Sequence, residues 1–154
     1  VEAALRGVRV ADVMNPSPLT VPITVSLDEL VHDYLEPHHL HAAPVAVSNQ
    51  FLGLVSLTDV RRVPEEQWGD LPAGHVMVPI ERIQAVSPDE PLSEVLSLMA
   101  TTQVHQVPVM QGWHLVGMLS RAAIVRYLAT RRGLSPAEAE QDVSSEIEML
   151  QHAG

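Results

Sequence analysis

Apolar positions along the chain fall into short blocks, and the blocks occur twice in the same order. Leu27, Leu30, Val31, Tyr34 and Leu35 keep the spacing of a helix with one buried face, and Leu92, Val95, Leu96 and Met99 repeat it. The runs Pro44-Val45-Ala46-Val47 and Phe51-Leu52-Gly53-Leu54-Val55, separated by the turn residues Asn49-Gln50, predict a strand hairpin. Pro108-Val109-Met110 and Leu115-Val116-Gly117-Met118-Leu119 flank Gln111-Gly112 in the same way, with each Pro at a strand start. A short strand ending near Val21 or Val86 precedes each first helix. A second helix follows each hairpin, over 58–62 and 121–131. Each copy therefore reads strand, helix, strand, strand, helix.

The repeat is also visible residue by residue. Ala11-Asp12-Val13-Met14 aligns with Gly74-His75-Val76-Met77, Leu19-Thr20-Val21 with Gln84-Ala85-Val86, and His41-Ala42-Ala43-Pro44-Val45 with His105-Gln106-Val107-Pro108-Val109. Leu52-Gly53-Leu54-Val55-Ser56 aligns with Val116-Gly117-Met118-Leu119-Ser120. The offset stays between 63 and 65 residues, and drift of that size fits loops. Ser26 and Glu29 form a capping-box pattern, and Asp89-Glu90-Pro91 gives the second copy a comparable helix start. A copy of about 60 residues is marginal alone, so the two are expected to bury sheet faces against each other. Beyond them, Ser135-Pro136-Ala137-Glu138 opens a tail helix with the apolar stripe Val143, Ile147 and Leu150. That helix is expected to pack on its own or a neighbouring pair, or to dock another protein.

Composition narrows the function classes. The 154 residues are 46% hydrophobic and only 3% aromatic, which predicts an aliphatic globular core. A formal net charge of −10 argues against nucleic-acid binding and against a polybasic membrane patch. With no cysteine, disulfides and thiolate chemistry are excluded. No apolar run approaches the roughly 18 residues of a membrane span. Neither a nucleophile signature nor a Gly-rich phosphate loop is present, so no catalytic residue is assigned. The first residue, Val1, reads as the start of a piece of a longer protein.

The ordered blocks, above all Asp12-Val13-Met14 and Gly53-Leu54-Val55-Ser56-Leu57-Thr58-Asp59-Val60, resemble the CBS domain, here in tandem over about residues 8–130. The implied fold is a mixed α/β (α+β) pair of repeats related by a pseudo-twofold axis. Expected boundaries are a linker from an upstream domain at 1–7, a first repeat at 8–63, a linker at 64–73, a second repeat at 74–132 and the tail helix at 135–152. The segment Asp59-Val60-Arg61-Arg62-Val63-Pro64-Glu65-Glu66-Gln67-Trp68 resembles the linker of the CBS pairs that follow the membrane core of site-2-type intramembrane zinc metalloproteases. The His-Glu-x-x-His zinc motif of those enzymes is absent from this chain. That likeness implies a cytoplasmic regulatory tail of a membrane protein, assembled as a homodimer, with no insertion of this segment into the membrane.

The resemblance implies an adenine nucleotide, AMP or ATP, as regulatory ligand, and no required cofactor. Asp59 matches the family's ribose-binding carboxylate and Ser56 its hydroxyl partner. Thr20, Val21 and Pro22 match the segment framing adenine; His41, Ala42 and Ala43 match a segment where some members reach phosphate. Read from chemistry alone, a carboxylate suits two ribose hydroxyls, but Ser56 and Asp59 also suit a plain helix cap. The equivalents in the second copy are Val86, His105, Ser120 and Ala123. Ala123 replaces the carboxylate, so that site is expected to be degenerate, with Arg121 or Arg126 as alternative phosphate contacts or merely solvated charges. A ligand-free dimerisation or docking module is the competing reading. Glu36, His38, His39 and His41 form a metal-like cluster, set aside as a surface loop because Pro37 breaks the helix register.

Overall fold

The computed structural model describes residues 5–48 and 50–152, with side chains described through Met149. Asn49 of the expected first turn, residues 1–4 of the expected linker and the Leu150 side chain lie outside the described residues. Two compact units interleave along the sequence. One is Pro18–Gln84 with Gly112–Leu115; the other gathers the described parts of Val1–Ser17, Ala85–Gln111 and Val116–Gly154.

In the first unit, α1 (Leu27–Glu29) starts at Ser26, whose hydroxyl accepts from the Glu29 amide at 3.1 Å. The helix continues as a wider π-helical stretch over Leu30–Leu35 and ends before Pro37, which has no amide to extend it. Leu27, Leu30, Val31 and Leu35 are all buried. Strands β1 (Ala42–Val47) and β2 (Gln50–Ser56) pair antiparallel, with Ala43 opposite Val55 and a register shift between Val45 and Ala46. Helix α2 (Leu57–Arg61), the short α3 (Ala73–Val76) and β3 (Val78–Pro79) complete the unit, β3 pairing with β2 at Gly53 and Leu54.

In the second unit, α4 (Leu92–Thr102), β4 (Gln106–Gln111), β5 (His114–Ser120) and α5 (Arg121–Arg132) repeat the order, and β4 and β5 are hydrogen-bonded neighbours. The expected start of α4 needs correction. Pro91 is itself the cap, and the Glu90 carboxylate accepts from the Ser87 amide at 2.6 Å, closing the preceding turn instead.

Both proline-bearing strands begin two residues earlier than expected, and the reason is the same in each. The Pro44 carbonyl accepts from the Val21 amide at 2.9 Å and the Pro108 carbonyl from the Val86 amide at 3.1 Å. A strand residue directs its carbonyl and its amide position to the same side. The missing proline N–H therefore faces the Val21 or Val86 segment, where no ladder bond to the hairpin partner is lost. The expected first strands are in fact single parallel bridges, Val21 to Val45 and Val86 to Val109.

Each of the two units is completed by the opening segment of the opposite repeat. Residues 73–79 pack on the first repeat: the Ala73 amide donates to the Val25 carbonyl at 2.7 Å. The segment ending at Ser17 packs on the second: Leu92 N–H donates to Val8 C=O at 2.9 Å, and Asn15 and Met118 exchange bonds at 2.8 and 3.0 Å. Each incoming segment crosses a glycine, Gly53 or Gly117, of the receiving β-strand.

Helix α6 (Pro136–His152) packs on α4 and α5, burying Ala139, Val143 and the Glu146 side chain. Its start is a complete capping box, with the Ser135 hydroxyl accepting from the Glu138 amide at 3.2 Å and the Glu138 carboxylate from the Ser135 amide at 3.0 Å. The bond from the Ser135 amide, then that from its side chain, holds the Glu138 carboxyl below its ordinary value. A lowered folded-state value means stability present above the unfolded value and lost as pH falls through the folded one. Amide-exchange protection of the first turn of α6 is expected to fall at acid pH, below the ordinary carboxyl range. Glu138→Gln should remove that pH dependence; an unchanged profile in the variant would refute the assignment.

Candidate functional site

The strand-to-helix corner at the end of β2 assembles the strongest constellation. Ser56 leaves the strand with extended backbone and caps α2. Its hydroxyl accepts from the Asp59 amide at 3.1 Å and donates to Asp59 Oδ2 at 2.9 Å. Asp59 Oδ1 lies 3.3 Å from the Arg62 guanidinium. The Asp59 side chain is only 14% exposed, whereas that of Arg62 is 75% exposed. The carboxylate is thus turned into the corner, with one oxygen fixed by the cap and the other paired with an exposed surface cation.

The second repeat supplies an internal comparison. Ser120 caps α5 by accepting from the Ala123 amide at 3.0 Å, with the same extended backbone as Ser56. The corner therefore forms without any carboxylate at its third helical position. The cap accounts for Ser56 but leaves the Asp59 carboxylate surplus to the fold.

The remaining predicted residues separate into two groups. Val21 and Ala43 are core side chains, 0% and 1% exposed. The Val21 amide donates to Pro44 C=O and its carbonyl accepts from the Ala46 amide at 3.1 Å, so its backbone is already engaged with β1. Val86 is engaged in the same way with Pro108 and Met110. Thr20, Pro22 and His41 are exposed, and Ala42, half-buried, pairs in register with Ser56. His41 joins the corner directly. Its carbonyl accepts from the Leu57 amide at 2.8 Å, and its Nε2 lies 3.0 Å from Thr58 Oγ1. Thr58 and Arg62 were not singled out from the sequence. Thr58 lies between Ser56 and Asp59 in the chain, and that hydroxyl-rich run was the available signal; Arg62 gave none, being one of two adjacent surface arginines.

The second-copy residues meet at the same backbone corner, the Arg121 amide donating to the His105 carbonyl at 3.0 Å, but their side-chain surroundings differ. His105 lines a cleft of about 420 Å³ with Arg121 among α4, α5 and α6, whereas Ala123 lines a different cleft of about 440 Å³. Arg121 is occupied by Glu140 at 2.6 Å and Ser144 at 3.1 Å. In the metal-like cluster, His38 Nδ1 bonds the Tyr34 carbonyl and His41 turns to Thr58. Among the described residues, no three His, Asp or Glu side chains gather as metal ligands.

The chain is similar to known proteins over most of its length. The family model of the CBS domain matches residues 10–66 and 73–130. Rip3 of Mycobacterium tuberculosis, which bears the name of a zinc metalloprotease, is 28% identical over 132 residues, 84% of this chain and 34% of its own length. The A-adding tRNA nucleotidyltransferase of Geobacter sulfurreducens is 28% identical over 82% of this chain and 14% of its own, and zinc metalloprotease MJ0392 of Methanocaldococcus jannaschii 26% over 84% and 34%. The chain thus spans about a third, or less, of the length of these relatives. Among solved structures, AcuB of Vibrio cholerae has a TM-score of 0.74 at 24% identity, covering 82% of this chain and 93% of its own. CBSX2 in complex with AMP has a TM-score of 0.69 at 23% identity, covering 82% and 99%.

Proposed function

We propose that this chain, which belongs to the CBS-domain family and carries two CBS repeats, is a regulatory pair whose first repeat binds an adenine nucleotide. The observation that carries the reading is the Asp59 carboxylate. It is sheltered and pre-oriented by Ser56, yet it is not needed by a corner that the second repeat builds with alanine. A ribose presents two hydroxyl donors to such a group. His41 and Thr58, on the same corner, offer donors to a phosphate. An AMP-bound structural neighbour supports the ligand class, and the metalloprotease relatives support attachment to a membrane-embedded protease. On that reading the chain works as a cytoplasmic homodimeric tail. Nucleotide binding shifts the population between two arrangements of the pair, and an upstream domain reads the change.

Calorimetric titration with AMP, ADP, ATP and S-adenosylmethionine tests this. Micromolar binding of one of them, with one site per chain lost in Asp59→Ala, supports the reading. The absence of heat with all four moves the chain to the second reading, a ligand-free dimerisation or docking module, which Ala123 favours for the second repeat. Arg62→Ala should tighten nucleotide binding by less than about fivefold, because an exposed ion pair contributes only ~0–1 kcal/mol against the incoming ribose. A loss of binding in that variant would instead make Arg62 a ligand contact, visible in the same titration.

A further inference from the structure

We propose that α5 carries a separate phosphate-binding cleft, in which Arg126 and Arg131 hold the phosphate of a nucleotide and Asp12 takes its sugar hydroxyls. The choice of a nucleotide rests on the reading above; the cationic cleft does not. All nine cationic side chains of the sequence are arginines, set against 19 acids. Four of them stand on α5, which has no acidic residue. Two are neutralised by α6: Arg121 by Glu140, and Arg132 by Asp142 at 2.7 Å. Arg126 and Arg131 form no ion pair among the described residues, and both line the cleft of about 440 Å³ between α5 and the segment at Asp12 and Val13. In a chain of this acidity, two unneutralised guanidinium groups in one cleft are the unusual feature.

The other walls fit an organic phosphate. The Arg131 guanidinium lies over the Tyr127 ring, 5.4 Å from its centroid, which holds the cation at the cleft wall. Thr130 adds a hydroxyl, and Ala123, the counterpart of Asp59, leaves room where a longer side chain would project. The acid missing at Ala123 is supplied from another part of the chain. Asp12 lines the same cleft, and its Oδ2 is fixed by the Arg9 amide at 2.8 Å, which leaves Oδ1 for a ligand hydroxyl. Of the second-copy counterparts only Ala123 lines this cleft; Val86, His105 and Ser120 do not, and the phosphate-holding arginines stand one and two turns further along α5. The cleft accepts a phosphate ester with hydroxyls on its carbon frame.

The test is the stoichiometry of ATP binding to the full chain by calorimetry. Wild type should take up two ATP per chain and Asp59→Ala one. Arg126→Gln/Arg131→Gln should retain only the Asp59-dependent site, with at least about tenfold weaker binding at the other, as expected for losing charge-assisted bonds. Both arginines are exposed, so melting of this variant should match wild type. Arg126→Lys/Arg131→Lys should recover part of the binding through charge alone. A single wild-type site, abolished by Asp59→Ala and indifferent to both arginine variants, overturns the cleft and leaves the first-repeat reading standing. Binding that survives Asp59→Ala undiminished but falls in Arg126→Gln/Arg131→Gln does the reverse. If pyrophosphate binds Asp59→Ala as tightly as ATP, and Asp12→Asn changes nothing, the hydroxyl contact at Asp12 is overturned.

Discussion

Gly53→Ala is expected to destabilise the chain by roughly 2–4 kcal/mol and to lower its melting temperature by about 10 °C, the largest stability effect of any single methyl group here. A Cβ at this position would overlap the Val78 carbonyl oxygen and stand 3.2 Å from Met77 Sδ. The oxygen belongs to backbone that pairs with β2, Gly53 facing Pro79 and Leu54 facing Val78. It cannot turn aside as a side chain can. Relief requires β3 to move off β2, adding lost ladder bonds of about 1 kcal/mol each to the overpacking cost. Gly117→Ala should act in the same direction but less severely. There the nearest atom, at 2.7 Å, is the flexible Met14 Sδ, although the Asn15 carbonyl follows at 2.8 Å. Gly69→Ala is the control: its Cβ would meet nothing within 4 Å, and its backbone needs no left-handed angle, so it should be neutral or slightly stabilising. Denaturant and thermal melts of the three variants check the order. A Gly53→Ala protein as stable as Gly69→Ala would show that the close approach is absent in solution.

Those two glycines also mark the boundary of what the sequence discloses. The repeat, the order of elements and the buried faces were legible because apolar spacing is imposed by local geometry: Leu27, Leu30 and Leu35, like Leu92 and Leu96, lie in the cores where helical periodicity puts them. What pairs with what across long separations was not. Nothing in the order of residues indicates that the stretch at 73–79 packs on the first repeat and the stretch up to Ser17 on the second. The glycines in step at 53 and 117 were the trace of that exchange, since close backbone approach is a reason to exclude a side chain from a strand. The early strand starts at Ala42 and Gln106 were hidden for a related reason. They depend on a third backbone neighbour, at Val21 or Val86, that tolerates proline. At the candidate site, the Ser56 and Asp59 pairing followed from three-residue spacing at a helix start. The commitment of the Val21 backbone to β1 and the hold of Arg62 on Asp59 are tertiary facts without a sequence pattern.

Asp59→Ala should separate ligand binding from folding more sharply than any other change. Two ribose hydroxyls bound to one carboxylate are charge-assisted bonds of ~1.5–3 kcal/mol each, and their joint loss, allowing for non-additivity, corresponds to about 100-fold or more in Kd. The stability cost is small by comparison. The Ser56 cap does not depend on the carboxylate, because Ser120 makes the same bond to the Ala123 amide at 3.0 Å. The lost pair with Arg62 involves a cation that is 75% exposed, a class of contact worth ~0–1 kcal/mol. Melting without ligand should therefore shift by no more than about 3 °C. Saturating nucleotide stabilises a binding-competent chain by about 2.7 kcal/mol at a hundredfold excess over Kd, so in the Arg126→Gln/Arg131→Gln background, where the α5 cleft is silenced, the parent should gain several degrees and the chain that also carries Asp59→Ala almost none. A purely structural role for Asp59 predicts the opposite pattern, with lower melting of the free protein and an undiminished shift with nucleotide. Paired melts with and without ligand therefore decide between a carboxylate that grips a sugar and one that only finishes a helix.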